Sequence, residues 1–394
     1  MITTLAVENY RSLRKLIVEL GQVNVVTGAN GTGKSSLYRA LRLLADSSRN
    51  GAVAALAREG GLDSTLWAGP ESISRDVRAG LAPLQGTRRT APVGLRLGFA
   101  GDEFGYAIDF GLPPPDPESM FGGDPEIKRE CTWAGPVLRP AALLSDRAGP
   151  AVRVRTASGA WHRSQGQVRP YDSMLSELAD PQLAPDLLLL RERIRNWRFY
   201  DHVRTDAHAP ARAAQIGTRT PVLSADGSDL AAALQTIREI GDHTAMDEAV
   251  DAAFPGSRVS VTSHGGGFAL QLHQKGLLRP LGAAELSDGT LRYLLWVAAL
   301  LTPRPPSLMV LNEPETSLHP DLLRPLADLI LHAGRTVQLV VVTHARPLAD
   351  ALAEGTRRAR IDITTIELLK DFGETTVAGR EGPLDEPLWY WPKR

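Results

Sequence analysis

Residues 28–36 combine three glycines, a lysine and two serines at a spacing that suits the binding of phosphate groups. Four residues separate Gly28 from the run Gly33-Lys34-Ser35. Glycine adopts left-handed backbone conformations at little cost, so successive N–H groups can turn towards one anion. At this spacing the lysine reaches the β- and γ-phosphates of a nucleotide, and the serine hydroxyl binds Mg²⁺. The stretch therefore predicts a phosphate-binding loop.

A strand and a helix are needed to position this loop, and the sequence predicts both. Residues 23–27 form a short apolar run that is typical of a buried strand. Residues 37–45 carry leucines three and four positions apart, which is typical of an amphipathic helix. A helix that begins at the loop adds its dipole to the attraction for an anion. The alternative, a glycine turn with a chance Lys-Ser pair, accounts for neither flanking element.

Composition limits the classes of protein that remain. The 394 residues are 43% hydrophobic, which is enough for a large core and for two or three domains. The formal net charge of -1 gives no bulk attraction to nucleic acid or to an anionic membrane. Cys131 is the single cysteine, which excludes an internal disulfide and fits a reducing compartment.

The sequence gives no sign of a membrane segment. Its longest apolar run, residues 291–301, contains Arg292, is followed by Pro303 and is too short to cross a bilayer. The first residues do not resemble a signal peptide. We therefore expect a cytoplasmic protein with no membrane partner.

Two short strands are predicted ahead of the phosphate loop, at residues 2–7 and 16–20. They suggest a small antiparallel sheet beside the loop. Between them, Tyr10 and Arg11 could lie near the base or the phosphates of a nucleotide. The alternative is that Tyr10 packs in the core and that Arg11 is a solvated surface residue.

The middle of the chain is predicted to be a β-rich insert. Residues 101–102, Gly-Asp, form a hairpin turn signal, and residues 111–125 are expected to form an exposed loop. Strand-like pieces are predicted at residues 93–99, 105–110, 137–145 and 151–156.

The densest basic stretch follows, on a predicted helix at residues 187–197. Its arginines could form a surface that contacts DNA phosphates. The alternative is a solvated helix face paired with Glu192 and Asp201. The arginines are Arg191, Arg193, Arg195, Arg198, Arg204 and Arg212.

The last third of the chain alternates helices with buried strands that end in reactive side chains. Residues 286–290, Leu-Ser-Asp-Gly-Thr, precede a helix, and a serine and a glycine at a helix N-terminus can form an anion site. A strand at residues 307–311 leads to Glu313, and a strand at residues 337–342 leads to His344. Strand-end carboxylates can hold Mg²⁺ and a water beside a γ-phosphate. Further helices are predicted at residues 230–240, 244–254, 321–332 and 346–354, and hairpins at residues 258–272 and 361–378.

With these motifs in this order, the chain resembles an ABC-type ATPase of the RecF and SMC branch. It is most similar to the stand-alone RecF-like and OLD-like ATPases of the AAA family that lack a Toprim domain. The resemblance covers residues 1–60 and 280–360 well and the middle only loosely. It rests on the phosphate loop, the signature-like residues 286–290, Glu313 with Pro314 after it, His344, and the opening Glu8-Asn9-Tyr10-Arg11-Ser12.

The resemblance implies an α/β fold: a P-loop NTPase of the ABC-ATPase type, with a mixed central sheet flanked by helices. A β-rich and helical insert would separate the Walker A loop from the signature. We expect one ATPase lobe at residues 1–70, the insert at residues 71–279, and a second lobe at residues 280–394. Prolines in the insert exclude the long coiled coil of SMC proteins. The 50 residues after His344 are too few for a Toprim nuclease domain.

The resemblance also implies roles for single residues. Glu313 would be the catalytic base, and His344 would contact the γ-phosphate as the second catalytic residue. Mg²⁺ would be held by Ser35 and by Asn312, which stands where the family usually has aspartate, so slow turnover is expected. The implied ATP-binding residues are Gly28, Asn30, Gly31, Gly33, Lys34, Ser35, Ser36, Arg11, Ser287 and Gly289. Asp288 and Thr290 depart from the family's LSGGQ signature.

The partners are implied in the same way. In this branch the signature of one subunit faces the ATP of another, so a homodimer is expected in the ATP-bound state. DNA or an effector protein such as a nuclease would be the target, in repair or in phage defence. The alternatives are a binding-only nucleotide sensor that controls an effector, and an ABC transporter subunit, against which the insert and the opening residues argue. The Q-loop glutamine is not placed, and its weak candidates are Gln85, Gln165 and Gln167.

Overall fold

The computed structural model describes residues 1–49, 51–70, 81, 94–156, 158–164, 167–178, 180–201, 203–380 and 382–393. These residues form two compact units. Unit 1 consists of Met1–Gly21, Val26–Trp197 and Ile366–Arg394, and unit 2 consists of Gln22–Val25 and Arg198–Thr365. The expected division into two lobes and an insert stays a prediction.

An antiparallel sheet of eight strands forms the framework of unit 1. Residues 137–145 were predicted as one strand, but residues 137–142 are not part of it. They end in a 3₁₀ turn at Pro140–Ala142, because proline lacks the N–H that a ladder needs. The strands are β1 (Ile2–Tyr10), β2 (Leu13–Glu19), β4 (Leu95–Gly101), β5 (Phe104–Gly111), β6 (Glu126–Ala134), β7 (Leu143–Ala148), β8 (Ala151–Arg155) and β9 (Trp161–Arg163), while β3 (Val23–Thr27) lies outside this sheet. The order across the sheet is β2-β1-β4-β5-β6-β7-β8-β9. The hairpin between β4 and β5 was predicted, whereas β6 was not.

Five helices complete the described part of unit 1 up to Trp197. The first, α1 (Lys34–Ser47), follows β3 and packs against β1 and β4 with its predicted leucine face buried. The helix α5 (Pro185–Arg195) contacts α1, and it begins with a proline, whose missing N–H costs nothing at a helix start. The short helices between them are α2 (Ala52–Arg58), α3 (Gly61–Thr65) and α4 (Met174–Glu177).

Unit 2 contains two sheets and five helices within the described chain. One sheet is parallel: β10 (Arg198–Tyr200) lies beside β15 (Leu308–Asn312), and β15 lies beside β16 (Gln338–Val342). The first residues of β3 continue it, where the Asn24 side chain donates to the carbonyl of Leu339 at 2.9 Å. The antiparallel sheet comprises β11 (Gln215–Ile216), β12 (Arg258–His264), β13 (Gly267–His273) and β14 (Leu281–Gly282). The helices are α6 (Leu230–Ile240), α7 (His243–Ala253), α8 (Asp288–Leu300), α9 (Leu323–Ala333) and α10 (Arg346–Ala359).

The core of unit 2 holds β15 in place. Its apolar residues and those of β16 are almost completely buried, as expected for parallel strands that are covered on both faces. On α8, the Trp296 ring meets the Tyr200 ring edge-on at 6.2 Å, and the Trp296 indole N–H donates to the carbonyl of Pro314 at 2.9 Å. The chain that leaves β15 is thereby anchored to the core.

The end of the chain belongs to unit 1. It forms the predicted hairpin, β17 (Ile363–Asp371) and β18 (Glu374–Val377), of which the residues from 366 onwards lie in unit 1. The aromatic tail then covers small residues of the eight-stranded sheet. The Trp389 ring lies 5.7 Å from that of Trp133, and a Cβ on Gly98 would come within 2.6 Å of Trp389.

The predicted α/β class is confirmed, because mixed sheets are combined with packed helices. No helix among the described residues is long and apolar enough to cross a membrane.

Candidate nucleotide and metal site

The phosphate loop of unit 1 has the backbone that its glycines predict. Gly28, Gly31 and Gly33 have φ angles of 142°, 81° and 105°. A Cβ on Gly28 would lie 2.4 Å from the carbonyl oxygen of Leu368, and one on Gly33 would lie 2.3 Å from Thr375 Oγ1. Only glycine fits at these two positions, both in conformation and in space.

The lysine of the loop is buried and directed at the loop itself. Lys34 is 6% exposed, and its Nζ donates to the carbonyl oxygens of Gly28 at 2.6 Å and Ala29 at 2.9 Å. The N-cap of α1 is Gly33, and no side chain caps the first turn of the helix. Its first N–H groups and the ammonium therefore stand in one loop, which suits a polyphosphate. Of the remaining predicted residues, Asn30 and Ser35 are exposed and Ser36 is half-buried.

Thr375 on β18 supports the loop and was missed by sequence reasoning. Its hydroxyl donates to the carbonyl of Thr32 at 2.8 Å and lies 2.8 Å from Ser12 Oγ. Its backbone N–H donates to the carbonyl of Ser12. No local pattern marks this residue, because the contact joins positions 343 residues apart.

Tyr10 and Arg11 share one carboxylate in unit 1. The Tyr10 hydroxyl donates to Glu59 Oε2 at 2.7 Å, and the Arg11 guanidinium forms an ion pair with the same oxygen at 2.8 Å. Tyr10 is fully buried, and burial together with Glu59 raises the pKa of its phenol. These contacts favour packing as the role of Tyr10, while nucleotide binding by Arg11 stays a prediction.

The strand end in unit 2 carries two buried oxygens with no hydrogen bond among the described residues, Asn312 Oδ1 and Glu315 Oε2. Oxygen atoms of this type coordinate Mg²⁺ directly or accept a hydrogen bond from a water that is bound to it. Glu313, between them, has a φ of 49° and donates its N–H to the carbonyl of Val342 at 2.7 Å, while its carboxylate remains 43% exposed. The residues present therefore fit a divalent cation together with an accessible base.

Glu315 links the end of β15 to the turn that follows β16. It is 8% exposed, and its Oε1 accepts hydrogen bonds from Thr343 Oγ1 at 2.6 Å and from the backbone N–H groups of His344 and Ala345. His344 Nδ1 lies 3.4 Å from this oxygen and 3.6 Å from Glu313 Oε1. The structure thus brings the two predicted catalytic residues together in unit 2, and it adds Glu315 as the residue that positions the histidine.

The signature-like residues lie at the start of α8. Ser287 is the N-cap, and its Oγ accepts from the Thr290 N–H at 3.1 Å, as an ordinary capping serine does. A Cβ on Gly289 would lie 3.0 Å from the carbonyl oxygen of Ser317. Arg212 donates to the carbonyl of Leu286 at 2.7 Å and pairs with Asp288 at 2.6 Å. Arg212 therefore supports the signature segment, a role that its place in the basic stretch did not reveal.

Four more arginines of the basic stretch also have acidic neighbours. Within unit 1, Arg191 and Arg195 lie 3.3 Å from Glu192, and Arg193 lies 2.5 Å from Glu103. Within unit 2, Arg204 pairs with Asp206. These contacts favour the solvated, ion-paired interpretation over a DNA surface.

Of the Q-loop candidates, Gln85 and Gln165 lie outside the described residues, and Gln167 is exposed.

The family is decided by a match over most of the chain. The family described as "AAA domain, putative AbiEii toxin, Type IV TA system" matches residues 23–349. The chain belongs to this family. Membership in this AAA-domain family, together with the phosphate loop, confirms the predicted P-loop ATPase fold and a nucleotide-binding site in general.

Three solved structures of SMC heads are similar to the whole chain. An SMC head bound to the C-winged helix domain of ScpA has 13% identity and a TM-score of 0.49, with 96% of each chain covered. The SMC head domain from Thermotoga maritima has 12% identity and a TM-score of 0.46, with coverage of 97% of this chain and 99% of that one. An SMC head with an extended coiled coil, bound to the C-terminal domain of ScpA derived from Pyrococcus furiosus, has 12% identity and a TM-score of 0.47, with coverage of 96% and 95%. Curated proteins gave no match.

Replacing Asn312 with aspartate is expected to strengthen Mg²⁺ binding, because a carboxylate restores the charge that an amide lacks. The Mg²⁺ concentration for half-maximal ATP turnover should fall about tenfold, the equivalent of about 1.4 kcal/mol. A Mg²⁺ titration of ATPase activity measures the effect. The control is Asn196→Asp, which adds the same negative charge at an exposed position of unit 1. Superimposable titrations would mean that Glu315 Oε2 already supplies the missing charge.

Proposed function

We propose that this chain binds ATP and hydrolyses it in a Mg²⁺-dependent reaction. The observation that carries the proposal is the phosphate loop, in which glycines at positive φ, an uncapped helix start and the buried Lys34 occur together. Lys34 would exchange the two loop carbonyls that its ammonium now contacts for β- and γ-phosphate oxygens. Bound Mg²⁺ would neutralise charge on the same phosphates, with Ser35 and Asn312 as its protein ligands.

Hydrolysis would depend on the strand-end residues of unit 2. Glu313 would accept a proton from the water that attacks the γ-phosphorus, as the bond to the bridging oxygen of ADP breaks. His344 would donate a hydrogen bond to a γ-phosphate oxygen. The contacts of Glu315 with the Thr343 hydroxyl and with the N–H groups after β16 support this role, since they fix the backbone that carries the imidazole.

The proposal is tested by measuring phosphate release from ATP with and without Mg²⁺. We expect turnover that requires Mg²⁺ and that is slow, because Asn312 stands where a carboxylate is usual. Addition of single-stranded or duplex DNA should raise the rate if the ATPase acts on DNA or on a DNA-processing partner. The absence of both ATP binding and phosphate release would contradict the proposal.

We further propose a RecF-like or OLD-like mode of action, in which ATP holds two copies of the chain together. Ser287 and Gly289 would then contact the γ-phosphate bound by the second copy, and Asp288 would be neutralised by Arg212. Such a dimer could control DNA repair or a phage-defence effector such as a nuclease. The support is the resemblance of the signature segment and the exposure of Ser287.

The change Ser287→Arg should abolish the ATP-induced dimer while ATP binding is retained, because a bulky cation would replace the small hydroxyl at the dimer contact. Light scattering of Glu313→Gln with ATP, with and without the Ser287 change, measures the dimer. The change Ser263→Arg, on β12, is the matched control and should leave the dimer intact. A dimer of equal strength with Ser287→Arg would contradict this mode of action.

The second candidate function, a binding-only nucleotide sensor, is favoured by a single observation. Asn312 offers a neutral oxygen, so the metal site lacks one of the charges that support fast hydrolysis. Tight ATP binding with less than one turnover in the lifetime of the complex would identify a sensor. Turnover that rises with DNA would identify the ATPase switch.

A further inference from the structure

A ladder of alternating charges runs across one face of the eight-stranded sheet in unit 1. Arg96 on β4 lies between Glu8 on β1, at 3.4 Å, and Asp109 on β5, at 3.3 Å. The register places these three residues directly opposite one another on neighbouring strands. Opposite charges in such cross-strand positions stabilise a sheet.

The same face carries a second group of charges further along. Asp146 on β7 pairs with Arg129 on β6 at 2.6 Å and with Arg153 on β8 at 2.7 Å. One buried carboxylate is thus shared by two guanidinium groups. The three carboxylates and three arginines named so far balance one another, so any further arginine on this face is an excess positive charge.

At the edge of the sheet the alternation ends in a pair of like charges. Arg163 on β9 stands directly opposite Arg153 on β8. The Arg163 side chain is exposed and makes no ion pair or hydrogen bond among the described residues. Like charges directly opposite each other destabilise a sheet, so the fold gains nothing from this pair. A local rule broken in this way is typical of a site that serves binding.

An aromatic side chain lies between the arginines of this edge. Trp161 on β9 stands opposite Arg155 on β8. The guanidinium carbons of Arg153 and Arg155 lie 4.7 and 5.7 Å from the centroid of the indole, which is 38% exposed. Arg155 otherwise donates to the carbonyls of Gly159 and Ala141, so no carboxylate offsets its charge among the described residues.

We propose that these four residues, Arg153, Arg155, Trp161 and Arg163, form a contact surface for single-stranded nucleic acid. We name it the β8–β9 basic face. The arginines would contact phosphates, and the indole would offer a surface on which a base stacks. An acidic protein segment would use the charge but has no need of an exposed indole flanked by cations, which is the reason for preferring a nucleic acid.

This inference rests on the DNA-directed part of the proposed function and moves the contact away from the stretch between Arg191 and Arg212. Arg191, Arg193, Arg195, Arg204 and Arg212 face Glu192, Glu103, Asp206 and Asp288. On the β8–β9 basic face, the one ion pair within the described part of the chain is that of Arg153 with Asp146, a carboxylate that also pairs with Arg129. A surface with uncompensated cations releases counterions on binding, and the affinity then depends steeply on salt.

The test uses the full chain and a fluorescein-labelled 20-nucleotide oligothymidylate, with fluorescence anisotropy recorded without ATP at several salt concentrations. The change Arg163→Glu should weaken binding at least about tenfold and lower the salt slope by about 0.7, the value of one lost phosphate contact on a single strand. The change Trp161→Ala should weaken binding with the salt slope unchanged, and Trp161→Phe should restore most of it. The matched control is Arg304→Glu, an exposed arginine of unit 2 that undergoes the same charge reversal.

Thermal melting would establish that each variant is folded. Equal binding by wild type, Arg163→Glu and Trp161→Ala would overturn the inference, as would no binding of the oligonucleotide by wild type. Displacement of the oligonucleotide by polyglutamate, with Trp161→Ala binding like wild type, would identify an acidic protein as the partner and would also overturn it. ATP turnover without DNA is measured separately. If the wild-type chain does not hydrolyse ATP, the ATPase proposal is contradicted and this inference still stands.

Discussion

The change Lys34→Ala is expected to reduce ATP binding or turnover by at least about tenfold, the loss anticipated when a charge-assisted contact to phosphate is removed. The ammonium of Lys34 is buried within the loop and already lies within 3 Å of two backbone carbonyls. A phosphate oxygen bound in the loop would replace those carbonyls as its partner. Calorimetry with ATP and a phosphate-release assay give the two values.

The matched control for this change is Arg39→Ala, which removes a cation from an exposed position of the same helix. It should leave affinity and turnover unchanged. A melting curve separates loss of the phosphate contact from collapse of the loop. Wild-type affinity and turnover in Lys34→Ala would exclude the loop as the ATP site.

The change Glu313→Gln is expected to lower turnover by about 10²- to 10⁴-fold while ATP binding is retained, because it removes a general base and keeps the shape of the side chain. The backbone of Glu313 is held by its bond to Val342, and its carboxylate is accessible to water. Single-turnover phosphate release and equilibrium ATP binding test the two halves of this expectation.

A control for Glu313→Gln is Glu354→Gln, an exposed carboxylate on α10 in the same unit, which should behave like wild type. If Glu313→Gln hydrolyses ATP at the wild-type rate, another group accepts the proton. Glu315 is then the next candidate, since its Oε2 makes no hydrogen bond among the described residues.

The sequence predicted those parts of the fold whose signals are local. The phosphate loop, α1 and the strands β15 and β16 follow from glycine spacing, from helical periodicity and from continuous apolar runs. The strand β6 was missed because its sequence, Glu-Ile-Lys-Arg-Glu-Cys-Thr-Trp-Ala, does not alternate cleanly between polar and apolar residues. Its Glu130 is fully buried against Arg147, and burial of a charged residue depends on a distant partner.

The same limit applies to the candidate site. The residues of the phosphate loop and of the two strand ends were predicted, because each motif is contiguous. Glu315, Arg212 and Thr375 were not given their structural roles, since their contacts join distant parts of the chain. Arginine in particular looks the same in a sequence whether it faces solvent, as Arg163 does, or supports a backbone turn, as Arg212 does.

The contact between Thr375 and the phosphate loop has a consequence for biosynthesis. Residues 28–36 leave the ribosome early, but the hydroxyl that holds the carbonyl of Thr32 is added 343 residues later. The hairpin that carries it belongs to the same unit as the loop, whereas most of the intervening second half of the chain belongs to the other. A nascent or prematurely terminated chain therefore contains the complete Walker A sequence before the residue that supports the Thr32 carbonyl has been added.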